Sequence, residues 1–425
     1  MMKAGGFDIS EELWNLACDV EIGLAEVFRL IDKVGEGNQL KVLRAMQNNR
    51  LGELHFAATN GYGYNDMGRD AVDRIFAQVF GCETALVRPG IVSGTHALAS
   101  ALFGNLRSGD ELLAPAGRPH ITLEPVIGLQ KARGSLAEYG VKYKEVGLLP
   151  SGSQSRIDFQ GIRGAISPRT RLAHIQRSKG YAWRNALSMA EVGELVAYIK
   201  SVKSDVICMV DNCYGEFTEA TEPTDHGADL VVGSLIKNPG GGLVHTGGYI
   251  AGKAEFVEGA AFRLTAPGIG GEVGPSLGFV PQFMQGFFFA PSVVAASLKT
   301  AVFTAAIFEK LGYDTCPRWG EPRADIVQAI RLNSPGEVSA YCQGVQKAAP
   351  VDSYLKPEPW GMPGYDSDII MASGAFVQGS GIEFGADATM KPPYTVYQQG
   401  ALTWWHGKIA TLIAVDTMQK YMKKS

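Results

Sequence analysis

The stretch Val231–Gly248, "VVGSLIKNPGGGLVHTGG", decides how this chain is read. Its first residues have the β-branched pattern of a strand buried on both faces. One lysine, Lys237, follows, and Pro239 with three glycines then excludes a helix. A lysine just past the carboxyl end of a buried strand lies where open α/β sheets bind ligands. The glycine run is expected to put it on a flexible loop, free to swing between two partners.

The neighbouring segments support a sheet of that kind. Strand patterns recur in "TALVR" (84–88), "DELLAPA" (110–116), "RLAHI" (171–175), "DVICMV" (205–210), "DLVVG" (229–233) and "GGYIAG" (247–252). The amphipathic segment "SMAEVGELVAYIKSV" separates two of them. Strands spaced by helices predict an α/β fold with a largely parallel sheet and covered faces. The chain has 425 residues, more than one ordinary core holds. The expected division is a helical arm over 1–60, a large domain over 61–290 and a smaller domain over 291–425. In the arm, Ser10 is placed to cap a helix over 9–35, with Gly35 as its stop.

Composition narrows the function classes. Hydrophobic residues make up 46% and charged ones 19%, as in globular proteins. A net charge of -4 gives no footprint for nucleic acid or an anionic membrane. The six cysteines form no C-x-x-C pair and the seven histidines no metal-binding spacing, so neither a zinc nor a redox site is expected. Scattered thiols and an N-terminus without an apolar signal segment point to the cytoplasm. Phe279–Leu298 is uncharged and as long as a membrane span. Pro281, Gln282, Gln285, Gly286 and Pro291 favour instead a buried loop and a core helix beginning after Pro291.

Two further strand ends carry chemistry. Asp211 closes the strand in "DVICMVDNCYGEF", and Ser93, Gly94 and Thr95 open a helix after "TALVR". Each alone reads as an ordinary turn or cap. Together with Lys237 they match the needs of pyridoxal phosphate: an amine for its aldehyde, a carboxylate at its ring nitrogen, and free backbone N–H groups for its phosphate. Ser234, three residues before Lys237, can add a hydroxyl to the phosphate site.

These residues resemble fold type I pyridoxal-phosphate enzymes. "GYGYNDMGRD", "RPGIVSGTHA", "QRSKGYAWR", "MVDNCYGEF", "SLIKNPGGGLVHTGGYI", "APGIGGEVG" and "KPPYTVYQQGALT" more closely resemble the cystathionine β-lyase/methionine γ-lyase-like branch linked to aluminium resistance. The resemblance implies a mostly parallel seven-stranded sheet in the large domain and a smaller α+β C-terminal domain. It implies β- or γ-elimination of a thiol from a sulfur-containing amino acid, a small-molecule substrate, with release of a 2-oxo acid and ammonia. It places His120 of "GRPHITLE" on the cofactor ring, where the branch is expected to carry tyrosine. It brings Tyr62, Tyr64 and Arg69 to the phosphate of a neighbouring subunit, in a homodimer that pairs into a homotetramer. It makes Lys391 a candidate for the substrate carboxylate and Tyr394 for the cleft wall. Arg184, with Arg177, is another candidate for the carboxylate or a support for the loop near the ring. "APGIGGEVG" does not fit a dinucleotide fingerprint and reads as a tight loop near the cofactor. Aldol cleavage, a transferase reaction, and a weakly catalytic cofactor-binding protein of metal tolerance stay open.

Overall fold

The computed structural model describes residue 6 and residues 9–151, 154–362 and 367–424. Residues 1–5, 7 and 8 of the N-terminus read for a signal segment lie outside that range.

In chain order the first nine strands are β1 (Thr84–Arg88), β2 (Glu111–Ala114), β3 (Lys142–Glu145), β4 (Leu149–Ser151), β5 (Gln154–Arg156), β6 (Thr170–Gln176), β7 (Ile207–Asp211), β8 (Leu230–Ser234) and β9 (Gly248–Gly252). All but the β4–β5 hairpin join one seven-stranded sheet of order β1-β9-β8-β7-β6-β2-β3. From β3 to β8 each neighbouring pair is parallel, and β9 runs against both of its neighbours. Every residue of β7, β8 and β9 is buried, which explains their uninterrupted apolar sequences. Alternate residues serve opposite faces. Leu172, Met209, Val232 and Ile250 pack with the helices Gly94–Asn105 and Ala254–Leu264. Ala173, Ile175, Cys208 and Val210 pack with the helix Met189–Val202. Each large aliphatic side chain so buried contributes about 1.5–3 kcal/mol of transfer free energy.

The later strands are β10 (Thr315–Cys316), β11 (Val327–Arg331), β12 (Ile369–Ser373), β13 (Gly385–Thr389) and β14 (Thr395–Gln399). They form an antiparallel sheet of order β10-β11-β14-β13-β12. Ile330, Ile370, Ala386 and Val396 on one face share a core with the helices Glu11–Gly23, Pro335–Lys347 and Trp404–Met422. Val327, Ala329 and Tyr397 on the other face meet Tyr181, Trp183 and Tyr214. That second contact closes a cleft over the carboxyl ends of β6, β7 and β8.

Two helix boundaries differ from the sequence expectation, both for one reason. Ser10 does cap the first helix, accepting from the Leu13 amide, but that helix ends at Gly23 and a second runs from Ala25 to Asn48 straight through Gly35. Gly35 is a crossing point: a Cβ there would lie 3.3 Å from the Ala295 Cβ and 3.6 Å from the Pro291 carbonyl oxygen. Pro291 in turn lies inside one helix, Val280–Lys310, and does not begin it. Pro281 in its first turn supplies the start. The hydrogen bond that Pro291 forfeits is outweighed by burial along most of the helix. This helix has the length and mean hydropathy (1.5) of a membrane span, but 83% of its apolar window is buried inside the protein, as in a core helix.

Candidate active site

Parallel pairing of β7 with β8 sets Asp211 opposite Val232, so Asp211 and Ser234 end neighbouring strands on one edge of the sheet. The helix Gly94–Asn105 begins above that edge. Ser93 caps it, its Oγ accepting from the His96 amide at 3.1 Å. A Cβ on Gly94 would lie 3.2 Å from the Cys213 Sγ and 3.5 Å from the Ser234 Cβ. Glycine there leaves a cradle between the helix N-terminus and the two strand ends. Thr95 donates to the Thr122 hydroxyl at 3.0 Å, and that hydroxyl lies 3.0 Å from the His120 Nδ1. The His120 ring is thus tied to the start of the same helix. Burial, and then the nearby Lys237 charge, hold its pKa below the ordinary histidine value.

Lys237 is half-buried, and its Nζ lies 4.1 Å from the centre of the Tyr214 ring. Burial disfavours its ammonium, but the surrounding Cys213, Tyr214, Asp211 and Glu216 outweigh that and raise its pKa. Tyr214 holds its place with a φ of 72°, a region that aromatic residues seldom occupy. The glycines after Lys237 do not form a swinging loop, which corrects the sequence expectation. Gly241, at φ 54°, would place a Cβ 2.5 Å from the Gly286 carbonyl oxygen. A Cβ on Gly240 would collide with the Leu235 carbonyl, and one on Gly242 with the Leu402 side chain. The glycines permit close packing, and the backbone is held. Movement of the amine therefore belongs to the lysine side chain.

Asp211 is buried and accepts from the Cys213 amide at 3.1 Å. Below it, Glu216 is buried and accepts from the Tyr249 hydroxyl at 2.8 Å. Burial pushes the Glu216 carboxyl up to about 8. An amine, a buried carboxylate and a helix N-terminus with a cradle that a Cβ would fill are the donor set pyridoxal phosphate requires, and these residues fit it.

The far wall of the cleft comes from three places in the chain. The Tyr181 ring lies 5.9 Å from that of His120 and 5.2 Å, edge-on, from that of Tyr397. The Tyr397 hydroxyl donates to the Tyr181 carbonyl. Asp387 stands opposite Tyr397 in the β13–β14 ladder, 3.5 Å from the Tyr181 hydroxyl. Tyr181, Tyr214 and Asp387 were absent from the sequence reading. Tyr214, three residues after Asp211 on the same strand end, carried a usable signal; Asp387 carried none before the sheets were brought together.

The other residues singled out in the sequence lie elsewhere. Tyr62 and Tyr64 are 79% and 74% exposed. Arg69 is buried and turns inward, donating to the Gly61 carbonyl at 3.4 Å and to Asp70 at 3.2 Å. The loop Ala266–Gly274 braces these tyrosines from behind, through a Gly274 amide that donates to the Gly61 carbonyl at 3.0 Å. Arg184 donates to the carbonyls of Gln176, Ser178 and Asn185, and Arg177 to Asn212, Gly215 and Glu219, so both guanidinium groups tie loops together. Lys391 is exposed, and Tyr394 packs with the core on the side of the five-stranded sheet away from Tyr397.

Comparison with known proteins agrees with this geometry. The family model described as methionine gamma-lyase matches residues 13–419. YnbB of Bacillus subtilis is 46% identical over 415 residues, 97% of this chain and 98% of that one. A solved structure from Clostridium acetobutylicum, named as a candidate cystathionine beta-lyase involved in aluminum resistance, superposes with a TM-score of 0.93 at 46% identity, covering 97% of each chain. The pyridoxal-5'-phosphate-dependent protein YhfS of Escherichia coli shares the fold, with a TM-score of 0.63 at 14% identity over 93% of this chain and 97% of that one. The chain belongs to the methionine gamma-lyase family.

Proposed function

We propose that this protein is a pyridoxal-phosphate-dependent carbon–sulfur lyase that eliminates a thiol from a sulfur-containing amino acid. The observation that carries the reading is the convergence of Lys237, Asp211 and the Gly94 cradle on one sheet edge. When bound, the cofactor would supply an electron sink for the pair released at the substrate's α-carbon.

The chain's own residues account for the rest. Asp211 would hold the ring nitrogen and keep it protonated. The helix N-terminus at Gly94 and the Ser234 hydroxyl would hold the phosphate. Lys237 would anchor the cofactor through its amine and, when that amine is free and unprotonated, would accept the α-proton. The α C–H bond and the C–S bond break, the sulfur leaves as a thiol carrying a proton, and one water converts the remainder to a 2-oxo acid and ammonia. His120 and Tyr181 form the wall that keeps bulk water off the reacting carbon.

The exposed Tyr62 and Tyr64 complete the phosphate site of a second subunit in this reading, and the cytoplasm suits a chain whose six cysteines are all free. Borohydride reduction of the loaded protein, followed by peptide mapping, tests the anchor. A pyridoxyl group on Lys237 together with thiol and 2-oxo-acid release supports the reading. An adduct on Lys237 with retro-aldol or transferase activity in its place would reassign the reaction. No adduct would remove the cofactor assignment.

A further inference from the structure

We infer that His174 is a positioning residue for Asp211: its imidazole donates to that carboxylate and keeps it ionised and aimed at the cofactor's ring nitrogen. The inference rests on the cofactor reading above and adds a residue that acts through another.

The sheet brings the two together. On the β6–β7 ladder His174 stands opposite Met209, and Gln176 opposite Asp211. Residues two apart on a strand share a face, and so do residues opposite one another. His174 and Asp211 are therefore diagonal neighbours on one face. It is the face of Leu172 and Met209, which packs against the helix Gly94–Asn105, and the N-terminus of that helix forms the cradle. Diagonal neighbours stand about 7–8 Å apart, within reach of an aromatic side chain.

His174 is 2% exposed, and both its ring nitrogens are buried with no neighbouring residue as hydrogen-bond partner among the described residues. A buried polar ring in that state is destabilising, and an apolar side chain such as that of Leu172, on the same face, carries no such cost. Burial pulls the His174 pKa below the ordinary histidine value, against the opposing pull of the Asp211 charge, so the ring is neutral at neutral pH. A neutral imidazole donates at one nitrogen and accepts at the other. Lys237 and His120 also sense the Asp211 charge, but neither acts on His174. The Gln176 Oε1 is a second buried acceptor without a partner on this face. The ionised carboxylate is the stronger acceptor of the two.

The consequence falls on Asp211. Its Oδ1 already accepts from the Cys213 amide at 3.1 Å. A second donor, from the β6 side, fixes the plane of the carboxylate and favours its charged form. The ring nitrogen needs that charged form to hold its proton.

The first test needs no turnover. In the apoprotein, nitrogen NMR of isotope-labelled histidine should show a neutral His174 with one ring N–H shifted downfield. Loss of that signal in His174→Gln assigns it, and Asp211→Asn, which removes the charge, should move it upfield. A signal that does not respond to Asp211→Asn overturns the inference.

The second test measures the dissociation constant for pyridoxal phosphate by fluorescence. His174→Phe keeps a flat ring without a donor and should weaken binding at least about tenfold, as expected for a hydrogen bond to a charged group. His174→Asn and His174→Gln keep an N–H near the positions of Nδ1 and Nε2, and one of them should stay within about threefold of wild type. On the Asp211→Asn background His174→Phe should cost nothing further, because its effect runs through Asp211. Equal weakening by all three substitutions, or a full further loss on that background, would show a packing role only and overturn the inference. If His174→Phe does not fold, the NMR response and the two donor-keeping variants decide. If pyridoxal phosphate does not bind the wild type, the cofactor reading fails, and the NMR response still tells whether His174 holds the carboxylate. Binding without thiol release fails the lyase reading and leaves this inference standing.

Discussion

The Lys237 amine rests 4.1 Å from the centre of the Tyr214 ring, and Tyr214 reaches that position only through a backbone φ of 72°. A left-handed φ at a bulky residue costs about 1–3 kcal/mol and persists where the surroundings impose it. The return is a fixed aromatic face under a lysine that must move in one direction. Tyr214→Phe keeps that face and loses only the hydroxyl, so kcat/KM should fall by about tenfold or less. Tyr214→Ala loses the face as well, and a fall of about a hundredfold is expected, with a lower yield of borohydride-trapped adduct. Equal values for the two variants would show that the ring face does not matter.

Asp211 ends β7 with its carboxylate buried at the same edge. Asp211→Asn keeps the shape and removes the charge. The loss of a charge-assisted hydrogen bond to the cofactor ring corresponds to about 1.5–3 kcal/mol, or a fall in kcat of roughly ten- to a hundredfold. Circular dichroism and thermal melting should show an intact fold. An unchanged kcat would remove Asp211 from the mechanism.

Glycines of this chain should respond to alanine with opposite signs. Gly241 has a φ of 54° and would press a Cβ to 2.5 Å from the Gly286 carbonyl oxygen. Gly241→Ala should cost about 2–4 kcal/mol in urea denaturation, because strain and overlap act together. Gly37, inside the helix Ala25–Asn48, has open space at its Cβ position. Gly37→Ala should stabilise the protein by about 0.5–1 kcal/mol, through helix propensity.

These glycines show where sequence reasoning succeeds and where it stops. Asp211, Ser234 and Lys237 were legible because each ends or follows a strand of buried residues, and strand ends of a parallel sheet share an edge. The glycines after Lys237 were legible as a helix stop but not as close packing against Gly286, since the same residue serves freedom or proximity. Gly35 and Pro291 misled for a related reason: each breaks a helix in isolation, and here the helices run on because they cross at that point. Asp387 was beyond reach, because its meaning depends on Tyr181, far away in the chain, being carried to the same cleft.

Glu216 gives a pH signature. Its folded pKa, pushed up to about 8 by burial, stands above the 4.5 of an ordinary glutamate. Between those values the folded protein keeps a proton that the unfolded chain has lost. Stability then falls as pH rises through that window, by up to about 1.4 kcal/mol per pH unit from this group, and levels off above it. Glu216→Gln cannot ionise, so its stability should not share that fall. Urea titrations of both proteins at about pH 5 and about pH 9, near and beyond the two ends of that window, measure the difference. A constant gap between wild type and variant across that range would mean that Glu216 ionises at an ordinary pH.

Tyr62 and Tyr64 are 79% and 74% exposed, and Leu277, tied to the same segment by its amide donating to the Thr59 carbonyl, is exposed as well. Exposed apolar side chains of this kind favour association, and the Gly274 amide ties the Ala266–Gly274 loop to the Gly61 carbonyl beside them. If a second subunit covers it, each tyrosine pair serves the neighbour's cofactor and not its own. Lys237→Ala and the double variant Tyr62→Ala/Tyr64→Ala would then be inactive, or nearly so, for different reasons within a dimer. Mixing the two after mild dissociation should restore about a quarter of wild-type activity, because half of the mixed population would hold one intact site in two. Sedimentation should show a dimer or larger for both parents. Activity that remains at the sum of the parents, in a mixture shown by mass spectrometry to have exchanged subunits, would mean that each chain builds its site alone.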